Sequence, residues 1–255
     1  MTPELPAAFL RAPIAHRALH DVSDGRPENS LAAIRAALNH RYGIEIDVQR
    51  SQDNRAMVFH DYELARLTPA SGLVRDTPAA ALQSVHLSGG TEGIPTLSDV
   101  LALVRGKVPL LVEIKDQDGG MGPDVGPLEA AVVRALAGYD GPVAVMSFNP
   151  HSVARMAELA PALARGLVTS AYSPAHWDLP KKVCARLRGI PDEDLAGCSF
   201  ISHQVSDLHR PRIADVKAQG FKVLCWTVKS PEMEAEARRV AHNITFEQYL
   251  APHPS

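Results

Sequence analysis

Eight short apolar runs alternate with helical patterns from one end of the chain to the other, and no other feature restricts the fold as much. The runs read as strands at 13–17, 43–49, 109–115, 142–148, 164–170, 198–204, 222–228 and 243–249. Most are bounded by glycine, proline or asparagine and are too continuously apolar for a sheet with one wet face, so they suit strands buried on both sides. Between them, "ENSLAAIRAALNHR" carries Leu31, Ile34 and Leu38 at helical spacing. The stretches "SDVLALVRG", "PLEAAVVRALAGY", "PHSVARMAELA", "RPRIADVKAQG" and "PEMEAEARRVA" start and stop as helices do. Residues 171–197 carry the weakest pattern. Strand followed by helix, eight times over, predicts an α/β fold in which a parallel sheet closes into a single (β/α)8 TIM barrel. The spacing calls for no second domain, so residues 1–255 are expected to form one barrel domain.

One segment interrupts the rhythm. About sixty residues separate the second and third strands, where one helix needs fewer. A short insertion is therefore expected after the second strand, and within it "RAMVFHDYELARLT" reads as a brief strand ending in His60 and Asp61. Such an insertion leaves the C-terminal end of a barrel strand, where barrel enzymes build their sites.

Composition removes several function classes. Lys and Arg number 26 against 29 Asp and Glu, a formal net charge of -3, so no global field draws in a polyanion and no nucleic-acid partner is expected. Cys184, Cys198 and Cys225 are odd in number and form no C-x-x-C pair, which points to buried small side chains and not to a disulfide framework or thiolate zinc site. The first residues include Pro3, Glu4 and Pro6 with no long apolar run. A cytoplasmic protein without stable membrane insertion is the expectation. No coiled-coil pattern or amphipathic tail points to a mode of assembly.

Chemistry concentrates at the ends of the predicted strands. In "GIEIDVQ", Glu45 and Asp47 share one strand face while Ile44, Ile46 and Val48 take the other. If the aliphatic face meets the helices, two carboxylates point into the barrel, where either one holds a proton or a cation sits between them. Surface acids on an edge strand fit the same spacing. "PLLVEIK" repeats the device, with Glu113 and Lys115 on one face above Leu111. An ion pair from Lys115 to Glu113 or Asp47 is one outcome. A set of three carboxylates that takes Mg2+ or Ca2+ is the other, since hard cations prefer oxygen ligands. His16 and His60 each end an apolar run, within reach of a barrel mouth, and imidazole exchanges protons near neutral pH. Pro27, Glu28, Asn29 and Ser30 stand at a helix start, for which Asn and Ser are good caps.

Taken in order, "AHR", "PENS", "EIDVQ", "VFHD", "VEIK" and "WTV" resemble the glycerophosphodiester phosphodiesterase family, over roughly residues 12 to 249. The resemblance implies a barrel enzyme that hydrolyses small-molecule glycerophosphodiesters to glycerol 3-phosphate and an alcohol. It implies one divalent cation, Mg2+ or Ca2+, on Glu45, Asp47 and Glu113, and an acid/base pair in His16 and His60. By the same match Arg17 and Lys115 meet the phosphate, Trp226 lines the alcohol side, Glu28 stands near the metal and Asn29 orders the loop. Two positions depart from the family pattern: Ala18 stands where a glycine is usual, and the last strand reads "HNITFEQYLAP", with Glu247 near the customary late aspartate. A lysophospholipase D-like enzyme of the same barrel group and a barrel that binds a phosphorylated ligand without turnover are the other readings.

Overall fold

The protein is described by a computed structural model covering residues 2–195 and 197–254. Among the described residues the strands are β1 (Ile14–Ala15), β2 (Gly43–Arg50), β3 (Ala56–Val58), β4 (Leu110–Ile114), β5 (Val143–Ser147), β6 (Ala164–Thr169), β7 (Phe200–Gln204), β8 (Lys222–Val228) and β9 (Asn243–Phe246). The helices are α1 (Leu31–Asn39), α2 (Ala79–Ser84), α3 (Leu97–Val104), α4 (Pro127–Leu136), α5 (Pro150–Leu159), α6 (Lys181–Gly189), α7 (Pro211–Ala218) and α8 (Pro231–Ala237). The strands follow the order β1-β9-β8-β7-β6-β5-β4-β2, and β1 also pairs with β2, so eight parallel strands close into a barrel. This is the predicted TIM barrel. β3 is the exception, antiparallel to the far end of β2 with Val48 opposite Val58.

Alternation along each strand sorts the side chains into two cores. Ile44, Ile46 and Val48 point outward to pack with Ile34 of α1 and with Leu97, Val100 and Leu101 of α3. Inward, Leu111, Ala144, Met146, Val168, Phe200 and Leu224 fill the lower barrel together with Ile14 and Phe9. Phe9 belongs to a short 3-10 turn, Ala7–Leu10, that plugs the N-terminal end of the barrel. Asn243 ties the plug down, its amide donating to the carbonyls of Phe9 and Ala12 at 2.7 Å each. That plug has no periodicity in the sequence, because four residues in one turn carry none.

The insertion follows the second strand as expected, and it carries β3, α2 and its own apolar cluster of Met57, Phe59, Leu64, Val74, Leu82, Leu87 and Ile94 before α3 begins. A segment that long stays ordered because it buries a small core of its own. In 171–197, α6 forms although only Cys184 and Leu187 of its residues are buried, which explains its faint pattern. All three cysteines are buried and unpaired. No described helix is long and apolar enough to cross a membrane.

The barrel interior leaves little slack. A Cβ on Gly166 of β6 would lie 2.5 Å from the ring of Phe200 on the neighbouring β7. Gly166→Ala is therefore expected to destabilise the fold by about 1–3 kcal/mol through overpacking, measured as a lower denaturant midpoint with an unchanged slope.

Candidate active site

The upper barrel opens into a cavity of about 370 Å³ at the C-terminal ends of the strands. Its floor is ionic. Asp47 on β2 lies opposite Glu113 on β4, with Glu45 one pleat below, and oxygens of all three approach within 4.8 Å of one another. All three side chains are buried. Lys115 Nζ reaches Glu113 Oε1 at 2.7 Å and Asp47 Oδ1 at 3.4 Å, and Arg17 Nε stands 3.6 Å from Asp47 Oδ2. The carboxylates thus converge inside the barrel, and the ion pair from Lys115 partly balances them.

The balance is incomplete. Burial, then the neighbouring Asp47 and Glu113 charges, push the Glu45 carboxyl well above the usual carboxylate range. Asp47 goes the other way: burial opposes its ionisation, but Lys115, His60 and Arg17 outweigh burial and hold it low. Lys115 itself is raised, the cost of burial being exceeded by Glu113 and Asp47. Among the described residues Glu45 meets one donor, the backbone N–H of Arg17 at 2.8 Å. A buried all-oxygen set with one carboxylate pressed toward its neutral form fits a metal ion, whose charge would let all three ionise.

The loop after β1 builds one wall. Arg17, Ala18 and Asn29 have left-handed backbone, at φ 50°, 64° and 60°. This turn aims the Arg17 amide at Glu45 and brings the Ala18 N–H to the Glu45 carbonyl at 2.9 Å. Ala18 thus occupies a conformation that glycine adopts more readily, and Ala is the smallest side chain that can replace it there. Ser30 caps α1 by accepting from Ala33 N at 3.1 Å, which fixes the two residues before it. Asn29 does more than order the loop: it donates to Asp47 Oδ2 at 3.0 Å and accepts from the Asp47 N–H at 3.1 Å. Glu28 is not among the three clustered carboxylates. It accepts from Arg17 Nη1 at 2.7 Å and from Arg66 Nη2 at 2.9 Å, and so steadies two guanidinium groups beside the cluster.

Each histidine leans on a carboxylate. His16 Nδ1 lies 2.6 Å from Glu247 Oε2, and Glu247 also meets Lys229 Nζ at 2.8 Å and His20 Nε2 at 3.5 Å. Bonds from His16 and His20 hold Glu247 far below the usual carboxylate range, so it accepts and His16 Nδ1 donates. Burial lowers the His16 pKa, against the raising contact with Glu247. His60 Nδ1 lies 2.6 Å from Asp61 Oδ1. Burial opposes Asp61 ionisation, yet Arg66 and His60 keep it low, so the same tautomer follows for His60. In both rings Nε2 is then the nitrogen left for chemistry.

Across the cavity Trp226 stands edge-on to Phe148 at 5.4 Å, its indole N–H donating to the Ser202 carbonyl at 3.1 Å. His16, Arg17, Glu28, Glu45, Asp47, His60, Glu113, Lys115 and Trp226 all line this cavity, with Asn29 behind Asp47. Sequence reasoning passed over His20, Lys229, Met146 and Phe148, which line it too. Their signal was available: Met146 and Phe148 follow Ala144 at period two along β5, and Lys229 directly follows β8.

The profile of the Glycerophosphoryl diester phosphodiesterase family matches residues 16–244. The glycerophosphodiester phosphodiesterase of Caldanaerobacter subterraneus subsp. tengcongensis is 28% identical over 229 residues, 86% of each chain. Bacillus subtilis YhdW is 29% identical over 232 residues, 88% of each chain. The structure of an Oleispira antarctica phosphodiesterase in complex with the product sn-glycerol-3-phosphate superposes with a TM-score of 0.76 at 29% identity, covering 95% of this chain and 94% of that one. A Parabacteroides distasonis glycerophosphodiester phosphodiesterase, at 21% identity and a TM-score of 0.73 over 92% of each chain, shares the fold.

The carboxylate floor makes metal affinity depend on pH. Because the Glu45 carboxyl is pushed above the usual carboxylate range and its proton must leave before a cation is held, affinity for Mg2+ or Ca2+ should rise as pH rises, with proton release on binding. Calorimetric titration in buffers of different ionisation enthalpy checks this, and Glu45→Gln should abolish both the release and the pH dependence.

Proposed function

Because the chain belongs to the Glycerophosphoryl diester phosphodiesterase family, a family of phosphoric diester hydrolases, we propose that it hydrolyses glycerophosphodiesters to glycerol 3-phosphate and an alcohol. The observation that carries this reading is one cavity holding three convergent buried carboxylates, the cations Arg17 and Lys115 beside them, and two carboxylate-backed histidines. Glu45, Asp47 and Glu113 would hold one divalent cation, Mg2+ or Ca2+, which when bound supplies Lewis-acid stabilisation of phosphoryl oxygens. The likeness to a structure containing sn-glycerol-3-phosphate supports the substrate class.

The side chains divide the remaining work. A phosphodiester carries one negative charge, and attack at phosphorus gathers more on its non-bridging oxygens. Arg17 and Lys115 face that charge from fixed positions, each with donors not consumed by Glu28, Glu113 or Asp47. Arg17 suits two-point contact, and Lys115 a compact one. One imidazole removes the proton from the attacking hydroxyl, and the other protonates the departing alkoxide. When the attacker is the glycerol hydroxyl beside the ester, its high effective concentration favours a cyclic phosphate, and the two histidines exchange roles as water opens it. Glu247 and Asp61 keep both Nε2 atoms available throughout. Trp226 and Phe148 border the side where the alcohol leaves.

The whole chain works as one barrel domain in this proposal. Three buried free thiols are consistent with a cytoplasmic setting, and the net charge of -3 with a small-molecule partner and no nucleic acid.

Purified protein supplied with Mg2+ or Ca2+ is expected to release glycerol 3-phosphate from glycerophosphocholine or glycerophosphoethanolamine, and chelation to stop it. His16→Ala and His60→Ala should each lower kcat by about 100- to 10,000-fold. No release with either ion overturns the proposal. Faster turnover of a lysophospholipid than of its deacylated head group would assign the enzyme to lipid instead.

A further inference from the structure

Arg66 belongs to none of the motifs used so far. It lies between β3 and α2 with 48% of its side chain exposed, yet its guanidinium grips two carboxylates that each hold a different group of the site. Nε and Nη2 donate to Asp61 Oδ2 and Oδ1 at 2.5 Å and 2.7 Å. Nη1 and Nη2 donate to Glu28 Oε2 and Oε1 at 3.1 Å and 2.9 Å. Asp61 Oδ1 is the oxygen that meets His60 Nδ1, and Glu28 Oε1 the one that meets Arg17 Nη1. An unbroken line of charge-assisted contacts therefore runs from the His60 imidazole to the Arg17 guanidinium.

We propose that Arg66 is a positioning residue which sets the His60 ring and the Arg17 fork together, an inference that rests on the function proposed above. Asp61 and Glu28 come from different walls, the insertion and the loop after β1, and no described backbone hydrogen bond runs between their segments. Two carboxylates brought this close repel unless a cation lies between them. With Arg66 gone, each turns toward water, and the imidazole and the guanidinium lose their fixed backing at once. Lysine does not substitute, because one ammonium cannot meet four oxygens in a planar fork. Exposed ion pairs add little to stability. The effect of this one therefore belongs in turnover, where a misplacement of about 1 Å can cost about 100-fold.

The test compares Arg66→Gln, Arg66→Lys and Arg66→Ala with wild type on glycerophosphocholine and a divalent ion. Both Arg66→Gln and Arg66→Lys should lose about 10- to 100-fold in kcat/KM at an unchanged melting temperature. Methylguanidinium should restore part of the Arg66→Ala activity. Asp61→Asn should reproduce the kcat share of the loss and Glu28→Gln the KM share, and adding Asp61→Asn to Arg66→Gln should lower kcat no further. Arg66→Gln within about twofold of wild type overturns the proposal, as does a loss that tracks the melting temperature and resists methylguanidinium. Wild-type protein that turns over no glycerophosphodiester overturns the function itself, and this inference with it.

Discussion

Three carboxylates share the upper interior of a closed barrel, and the structure around them is arranged to make that tolerable. Buried like charges this close cost several kcal/mol, roughly, unless paired, so the chain must bring cations to them. Lys115 does this from just past the end of β4, two residues after Glu113, and Arg17 from the loop after β1. Asn29 satisfies what is left of Asp47. Glu45 retains the least support, and burial beside Asp47 and Glu113 pushes its carboxyl well above the usual range. The arrangement is stable enough to form and polarised enough to bind.

Holding charges inside a barrel also demands a dry base. Phe9, Phe200, Leu111 and Leu224 fill the lower interior and keep water from reaching the carboxylates from below. The plug and the charged floor are thus two halves of one device: close packing beneath gives the carboxylates fixed positions, and the cavity above admits a small ligand from one direction. The insertion between β2 and α3 contributes differently. Its own apolar cluster makes it rigid enough to carry His60 and Asp61 to the rim.

Period-two alternation made the barrel and most of its site legible. Strand geometry put Glu45 with Asp47 and Glu113 with Lys115 on shared faces but fits surface acids as well, and the ordered family motifs are what bring these residues together with His16 and His60. Met146 and Phe148 lie on that same alternation, whereas the less legible parts of the site lie where periodicity ends. Lys229, His20 and Arg66 sit in loops, where a side chain's direction depends on turns that no repeat encodes. The plug around Phe9 is a single 3-10 turn, and α6 turns so many charged residues outward that its buried stripe shrinks to Cys184 and Leu187. The weight carried by Glu247 was half visible: its place near the end of the last strand was noted, but its grip on His16 emerges only once β9 lies beside β1.

The amide of Arg17 that reaches Glu45 belongs to the main chain, and it points there because two successive residues adopt left-handed torsions. Side-chain replacement leaves that N–H in place, so a systematic alanine scan of the barrel mouth would report nothing about it. Only a change of the chain's own linkage, such as an ester in place of that peptide unit, would reach it. One residue thus serves the floor twice, through a main-chain amide on Glu45 and, separately, through a guanidinium on Glu28 and Asp47.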